Sequence, residues 1–190
     1  MHGFLISYLQ QFKILNIEEK QLLKNSFELI HYKAGEVLSY AGKASPDLYF
    51  INEGILKITV PGEQIRDHAY YFMEKHQFMG FLYSLYGNIP AEQGLEAACD
   101  TLVMQISRKN LYLLFEELPF FKSVIDQIAH LTMVEMINTK NIYLSIKSSE
   151  RYAKLLEHQP DLVLHVPLID IASYLGITAK SLSRIRRSVR

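Results

Sequence analysis

The segment from Pro167 to Arg187 constrains the fold of this chain most, because its apolar and basic residues sort onto opposite faces of two short predicted helices. The first helix is expected over residues 168–175, where apolar side chains recur at helical spacing at Leu168, Ile171, Ala172 and Leu175. Gly176 stands where the chain must turn, since glycine adopts a left-handed conformation at little cost. Thr178 is the predicted N-cap of the second helix, because its hydroxyl can accept a hydrogen bond from a free backbone N–H.

The second helix has the two faces that a DNA-recognition helix needs. Its inward stripe is formed by Leu182, Ile185 and Val189. Arginine can contact guanine through two hydrogen bonds, whereas lysine and serine mostly contact phosphate. The predicted DNA contacts are the basic and hydroxyl side chains at Thr178, Lys180, Ser181, Ser183, Arg184 and Arg187. The alternative is an ordinary helical hairpin with a solvated basic face.

Basic residues are concentrated at this end of the chain, although the net charge of the 190 residues is zero. Residues 145–190 contain eight Lys and Arg against four acidic residues, and the remainder contains twelve against sixteen. A basic end on a mildly acidic body favours a DNA-binding end attached to a separate domain. The apolar content of 49% is enough to bury a core and argues against disorder.

Several classes of protein are excluded by composition. The single cysteine, Cys99, leaves no internal disulfide and too few thiolates for an iron–sulfur cluster. No run approaches the roughly 18 apolar residues of a membrane span, and the N-terminus lacks the features of a secretory signal. We therefore expect a soluble, cytoplasmic protein that has no membrane partner.

The body of the chain changes character along its length. Residues 4–30 are predicted to be helical, with a helix start at Asn16. From Lys33 to about Ser107, short runs of strand-like composition alternate with turn residues at spacings of about 8–12 residues, which favours an antiparallel barrel or jelly roll. The clearest of these predicted strands cover residues 37–40, 48–51, 55–60, 68–73 and 102–106.

Helices are predicted again after Arg108, and the longest runs from Phe121 to about Ser145. Its broad apolar stripe consists of Val124, Ile125, Ile128, Leu131, Met136 and Ile142. Such a face must be buried, partly on the same chain and partly on a second copy of it. Another helix is predicted from Arg151 to about His158, followed by a short strand over Leu162–Val166.

The order of these parts resembles the cyclic-AMP receptor protein/fumarate–nitrate regulator (Crp/Fnr) family over nearly the whole chain. The likeness rests on residues 32–58 with their spaced glycines, on residues 78–85 and on residues 102–111. It also rests on residues 149–156 and 171–186, and these two segments are similar to Bacteroidetes-like members. The resemblance implies an α+β fold with three parts. These are N-terminal helices and a jelly-roll-like, cyclic-nucleotide-binding-like β-roll over 1–119, a dimerisation helix over 120–146, and a winged-type helix-turn-helix domain over 147–190.

The resemblance also implies a function. It predicts a homodimeric transcription regulator that binds double-stranded DNA and is not an enzyme, with RNA polymerase as a candidate partner. The start of the recognition helix departs from the family, since Ala179 and Lys180 stand where many members have an Arg-Glu pair, while Arg184 matches. The familiar target sequence is therefore not expected.

The predicted effector pocket departs further from relatives that bind cyclic AMP. In those relatives, a Glu follows a glycine of the ligand-binding segment, and an Arg stands about ten residues later. In this chain Phe81 follows the corresponding Gly80, and Ala91 and Glu92 stand where the Arg is expected. Residues 78–100 contain no Lys or Arg, and a buried phosphate without a cation is costly. We expect no cofactor, no cyclic AMP bound in the usual way, and an unidentified effector at Gly80, Phe81, Leu82, Tyr83, Ala91 and Glu92. The pocket could instead be filled by Phe81, Tyr83 and Tyr86.

Two other classes of function compete with this interpretation. A metal-dependent cupin-type enzyme needs a His-x-His pair, and the histidines at 2, 31, 68, 76, 130, 158 and 165 contain none. His68 and His76 are predicted on different strands and could meet in space. A sensor or interaction module without DNA binding is the second alternative, against which the five basic residues of 180–190 argue.

Overall fold

The computed structural model describes residues 2–62 and 67–188, and it begins with helices α1 (Gly3–Leu9) and α2 (Ile17–Ser26). The predicted start of α2 is confirmed, because Asn16 Oδ1 accepts from the Glu19 N–H at 2.8 Å and Glu19 returns a hydrogen bond to the Asn16 N–H. The prediction of helix up to residue 30 is wrong, since Glu28–Tyr32 forms strand β1. Its backbone pairs with a distant strand along five residues, which outweighs local helical periodicity.

Eight strands within the described residues form the roll. They are β1 with β2 (Val37–Ser39), β3 (Asp47–Glu53), β4 (Leu56–Val60), β5 (His68–Met73), β6 (Phe78–Met79), β7 (Gly94–Ala97) and β8 (Thr101–Ser107). The two antiparallel sheets have the orders β1-β8-β3-β6 and β2-β7-β4-β5. Gly54 between β3 and β4 has a φ of +88°, and a Cβ there would stand 2.5 Å from the Asp100 carbonyl oxygen. The five clearest predicted strands and the antiparallel roll are confirmed.

Seven further helices follow within the described residues. They are α3 (Leu82–Gly87), α4 (Arg108–Glu117), α5 (Pro119–Ser145), α6 (Ser148–His158), α7 (Pro160–His165), α8 (Leu168–Tyr174) and α9 (Ala179–Ser188). The predicted strand over Leu162–Val166 is wrong. Pro160 starts a helical turn there, and Leu162 and Val166, four residues apart, are both buried. No residue described after Ser107 lies in a strand, so the predicted wing has no counterpart among them.

Two apolar clusters make the core. The first packs α1 and α2 against β3, β8, α4 and the beginning of α5, with Leu5, Phe50 and Phe121 fully buried. The second fills the interior of the roll and continues without a break into α8 and α9, where it includes Tyr174 and Leu182. The C-terminal helices therefore share a core with the roll. In the described part of the chain, no helix is long and apolar enough to cross a membrane.

Candidate DNA-binding surface and ligand cavity

Helices α8 and α9 form the predicted helix-turn-helix. Gly176 has a φ of +68°, and its N–H donates to the Ser173 carbonyl at 3.0 Å while the Ile177 N–H donates to the Ala172 carbonyl at 3.0 Å. These two bonds are a Schellman motif, which satisfies the last carbonyls of α8. Thr178 Oγ1 accepts from the Ser181 N–H at 3.1 Å, so the predicted N-cap is confirmed.

The predicted recognition helix α9 buries one side and exposes the other. Leu182 is fully buried and Ile185 is partly buried, whereas Lys180, Arg184 and Arg187 are all exposed. Across residues 2–62 and 67–188, none of these three cations lies within 4 Å of a carboxylate oxygen. Their donors are therefore not engaged by an acidic side chain.

The remaining predicted contacts lie at the same end of the chain. Ser181 and Ser183 are partly exposed, and the Thr178 hydroxyl donates to the Ser181 hydroxyl at 3.0 Å. Two of the predicted hydroxyl contacts are thus engaged at the helix start. The predicted inward residue Val189 and the last basic residue, Arg190, lie outside the described residues.

Arg151 ties the helix-turn-helix to the end of α5. Its Nε donates to the Ile146 carbonyl at 3.1 Å, and its Nη1 donates to the Leu175 carbonyl at 2.9 Å. The long helix and the turn between α8 and α9 are thereby joined through one guanidinium. This role was not predicted, because the sequence shows Arg151 only as one basic residue in a helix.

A buried cluster of charges fastens α8 to the roll. Lys57 Nζ on β4 lies 2.8 Å from Asp170 Oδ2 on α8 and 2.8 Å from Glu96 Oε1 on β7. The side chains of Lys57 and Asp170 are 6% and 7% exposed, and that of Glu96 is 25% exposed. The sequence signal for this cluster is a lysine within a predicted strand that is otherwise apolar except for Thr59.

Aromatic contacts extend this attachment. The ring of Tyr174 on α8 lies 5.2 Å from that of Phe72 on β5 and 5.7 Å from that of Tyr143 on α5, measured between centroids, and both pairs are edge-to-face. Lys140 Nζ lies 4.4 Å from the centroid of Tyr70 and 5.2 Å from that of Tyr174. Burial lowers the pKa of Lys140 and raises that of Tyr174.

Two polar contacts complete the attachment at the loop after β5. Gln159 Nε2 donates to Glu74 Oε2 at 2.9 Å, and Lys75 Nζ lies 2.9 Å from Asp161 Oδ2. Burial raises the pKa of Glu74, whereas the hydrogen bond from Lys75 lowers the pKa of Asp161.

A cavity of about 270 Å³ lies between the roll and α5. Its wall consists of Leu48, Ile58, Tyr70, Met73, Phe78, Met79, Gly80, Phe81, Leu82, Gln93, Ile125, Ile128, Ala129, Thr132, Met133 and Met136. Of the six predicted pocket residues, Gly80, Phe81 and Leu82 lie on this wall. Among the described residues, no charged side chain lies on this wall.

The other three predicted pocket residues are elsewhere. Ala91 is buried in a β-bridge with Lys43, and Glu92 is exposed. Tyr83 is turned outward by α3, and its hydroxyl donates to Gln93 Oε1 at 2.9 Å. Tyr86, which was expected to fill the pocket, instead donates to Asp126 Oδ1 at 2.8 Å. The cavity is therefore filled by neither tyrosine.

Features required for the enzymatic alternatives are not assembled in the described ranges. No cluster of three or more His, Cys, Asp or Glu side chains suited to a metal ion occurs among residues 2–62 and 67–188. The rings of His76 and Phe4 are in contact at a tilt of 31°, with 4.5 Å between their centroids. Burial raises the pKa of Cys99, which disfavours the reactive thiolate.

Comparisons with known proteins agree with this architecture. Residues 29–117 match the family model of the cyclic nucleotide-binding domain. No curated protein is similar enough in sequence to match. CLP, a c-di-GMP-responsive global regulator from Xanthomonas campestris, has a structure similar to this chain, with a TM-score of 0.71 at 14% identity over 92% of this chain and 91% of that chain.

Two other solved structures extend the likeness. FixK2 from Bradyrhizobium japonicum has a TM-score of 0.72 at 18% identity, over 86% of this chain and 84% of that one. A putative Crp/Fnr-family transcriptional regulator from Eubacterium rectale has a TM-score of 0.69 at 16% identity, over 96% of this chain and 87% of that one. The resemblance predicted from the sequence is confirmed at the level of the fold: residues 29–117 match the cyclic nucleotide-binding domain model, and the chain has a fold similar to that of a Crp/Fnr-family regulator over nearly its whole length.

Proposed function

We propose that this protein is a homodimeric, sequence-specific DNA-binding transcription regulator whose ligand cavity does not bind cyclic AMP in the usual way. The observation that carries the proposal is the two-sided recognition helix. Leu182 is buried against α8, while Lys180, Arg184 and Arg187 are exposed and have no acidic partner among the described residues. Side chains placed in this way can contact base edges and phosphates in a major groove.

Dimerisation is supported by the exposed face of α5. The large apolar side chains that α5 leaves exposed include Leu131, Val134, Ile137 and Leu144, the last of which is 78% exposed. A helix with apolar residues on both faces is expected to bury the second face on another chain. We infer that this other chain is a second copy of the same protein, because a symmetric dimer matches the two-fold symmetry of paired DNA half-sites.

The altered ligand specificity is supported by the wall of the cavity. Phe81 follows Gly80 on the wall, and no cationic side chain of residues 2–62 and 67–188 lines the cavity to pair with a phosphate. A buried anion without such a partner is strongly disfavoured. Titration calorimetry of the full chain with cyclic AMP should therefore detect no binding, and micromolar affinity would overturn this part of the proposal.

Selection of bound duplexes from a random pool tests the DNA-binding part. We expect the wild-type chain to enrich a motif with two half-sites whose centres are about one helical turn apart. Enrichment should be lost in Lys180→Ala/Arg184→Ala and retained in Lys109→Ala, which removes an exposed cation from α4. Failure of the wild type to enrich any sequence would favour an interaction module without DNA binding. RNA polymerase remains a candidate protein partner of the regulator.

A further inference from the structure

We propose that the cavity between the roll and α5 binds an uncharged, mainly apolar small molecule that carries a hydrogen-bond acceptor. The ligand site is inferred from the cavity alone and does not depend on the proposed function.

The wall chemistry determines the class of ligand. Thirteen of the sixteen wall residues that the structure describes offer no polar side-chain group, and the exceptions are Tyr70, Gln93 and Thr132. An ionised ligand would lose its hydration without gaining a counter-charge, whereas an apolar ligand would gain from leaving water. The cavity therefore selects against nucleotides and carboxylates and in favour of uncharged apolar molecules.

The volume and the side chains limit size and shape. About 270 Å³ is just below the range of roughly 300–1,000 Å³ for small-molecule sites. Four methionines contribute to the wall, at positions 73, 79, 133 and 136. Methionine side chains adapt to irregular apolar shapes, so a small bicyclic ring or a medium-length aliphatic chain fits the site.

The polar part of the wall indicates which functional group the ligand carries. Gln93 Oε1 already accepts a hydrogen bond from the Tyr83 hydroxyl at 2.9 Å. Its side-chain amide nitrogen is left as a donor, and the hydroxyls of Tyr70 and Thr132 on the same wall can donate as well. A carbonyl, ether or alcohol oxygen on the ligand would accept from this group.

N-phenyl-1-naphthylamine, an uncharged apolar dye that brightens in apolar sites, tests the proposal on the full chain. We expect saturable binding of one dye per chain, displacement by 1-octanol and no displacement by cyclic AMP. Ala129→Phe and Thr132→Leu, which fill the cavity from α5, should each weaken binding at least tenfold. Ala153→Phe makes the same change on an exposed face of α6 and should leave binding unchanged.

The outcomes separate the cavity from other apolar surfaces. Leu131→Gln removes an exposed apolar side chain of α5 that is not among the wall residues of the cavity, so equal dye binding in this variant and the wild type supports the cavity. No saturable binding to folded wild type would overturn the proposal. Unchanged binding in both filled variants, with circular dichroism showing them folded, would place the dye elsewhere and would also overturn it. Dye binding by a chain that enriches no duplex would refute the proposed function while supporting the ligand site.

Discussion

Replacing Lys57 with methionine tests whether the buried charge cluster fastens the helix-turn-helix to the roll. The substitution keeps an unbranched side chain of similar length and removes the ammonium, which leaves Asp170 and Glu96 without their cation. Breaking a buried ion pair in this way typically costs about 3–5 kcal/mol, because one charge stays buried and uncompensated. Since Glu96 is 25% exposed, water can solvate part of its charge, and we expect the lower end of that range.

The free energy of unfolding, measured by urea denaturation at pH 7 and followed by circular dichroism, reports this loss. Lys75→Met is the matched control, because Lys75 also joins the roll to the C-terminal helices through an acidic residue, Asp161, but in an exposed position. Exposed ion pairs contribute little to stability, so this variant should unfold close to the wild type.

A double variant distinguishes the cost of buried charge from the loss of packing. Lys57→Met/Asp170→Leu removes both ends of the pair, and we expect it to recover most of the stability lost in Lys57→Met. Equal losses in Lys57→Met and Lys75→Met would refute the reasoning. So would additive losses from the Lys57 and Asp170 substitutions in the double variant.

Three further predictions concern the DNA surface, the dimer and the response to pH. If Lys180 and Arg184 contact bases, Lys180→Ala and Arg184→Ala should each weaken specific DNA binding by about 1–3 kcal/mol in anisotropy titrations. If the two side chains contact only phosphates, binding to all sequences should weaken equally and the affinity should depend less steeply on salt. Ile137→Glu should shift the chain from dimer to monomer in sedimentation velocity, because it places a charge on the exposed apolar face of α5; an unchanged dimer would argue against this interface. Burial raises the pKa of Glu74, so the folded chain keeps a proton that the unfolded chain has lost. Stability should therefore fall as the pH rises from the ordinary pKa of Glu74 through its raised value, and Glu74→Gln should reduce that slope; the same slope in both proteins would contradict the pKa direction.

The helix-turn-helix could be predicted because its determinants are local. Gly176 supplies the turn and Thr178 supplies the cap, and both act within a few residues of their own position. Apolar spacing at Leu182 fixes the inward face of the second helix. The prediction of a strand over Leu162–Val166 was wrong, because a run of five mostly apolar residues fits a short strand and a helical turn equally well. Only the packing of the run distinguishes the two.

The attachment of this unit to the roll could not be predicted, because its determinants are distant in sequence. Lys57 and Asp170 are separated by 113 positions, and neither residue type identifies its partner. The cavity was predicted only in part for the same reason. Gly80 and Phe81 were predicted from the family resemblance of residues 78–85. Thr132 and Met136 reach the cavity from α5, and this packing could not be predicted from the sequence.

Sequence-specific binding to DNA is the central claim, and the ratio of specific to non-specific affinity tests it most directly. The measurement is an anisotropy titration of the wild-type chain, at about 0.15 M salt, with its enriched duplex and with a scrambled duplex of the same composition. We predict an affinity ratio of at least about 10³ in favour of the enriched duplex. Equal affinity for the two duplexes would contradict the account.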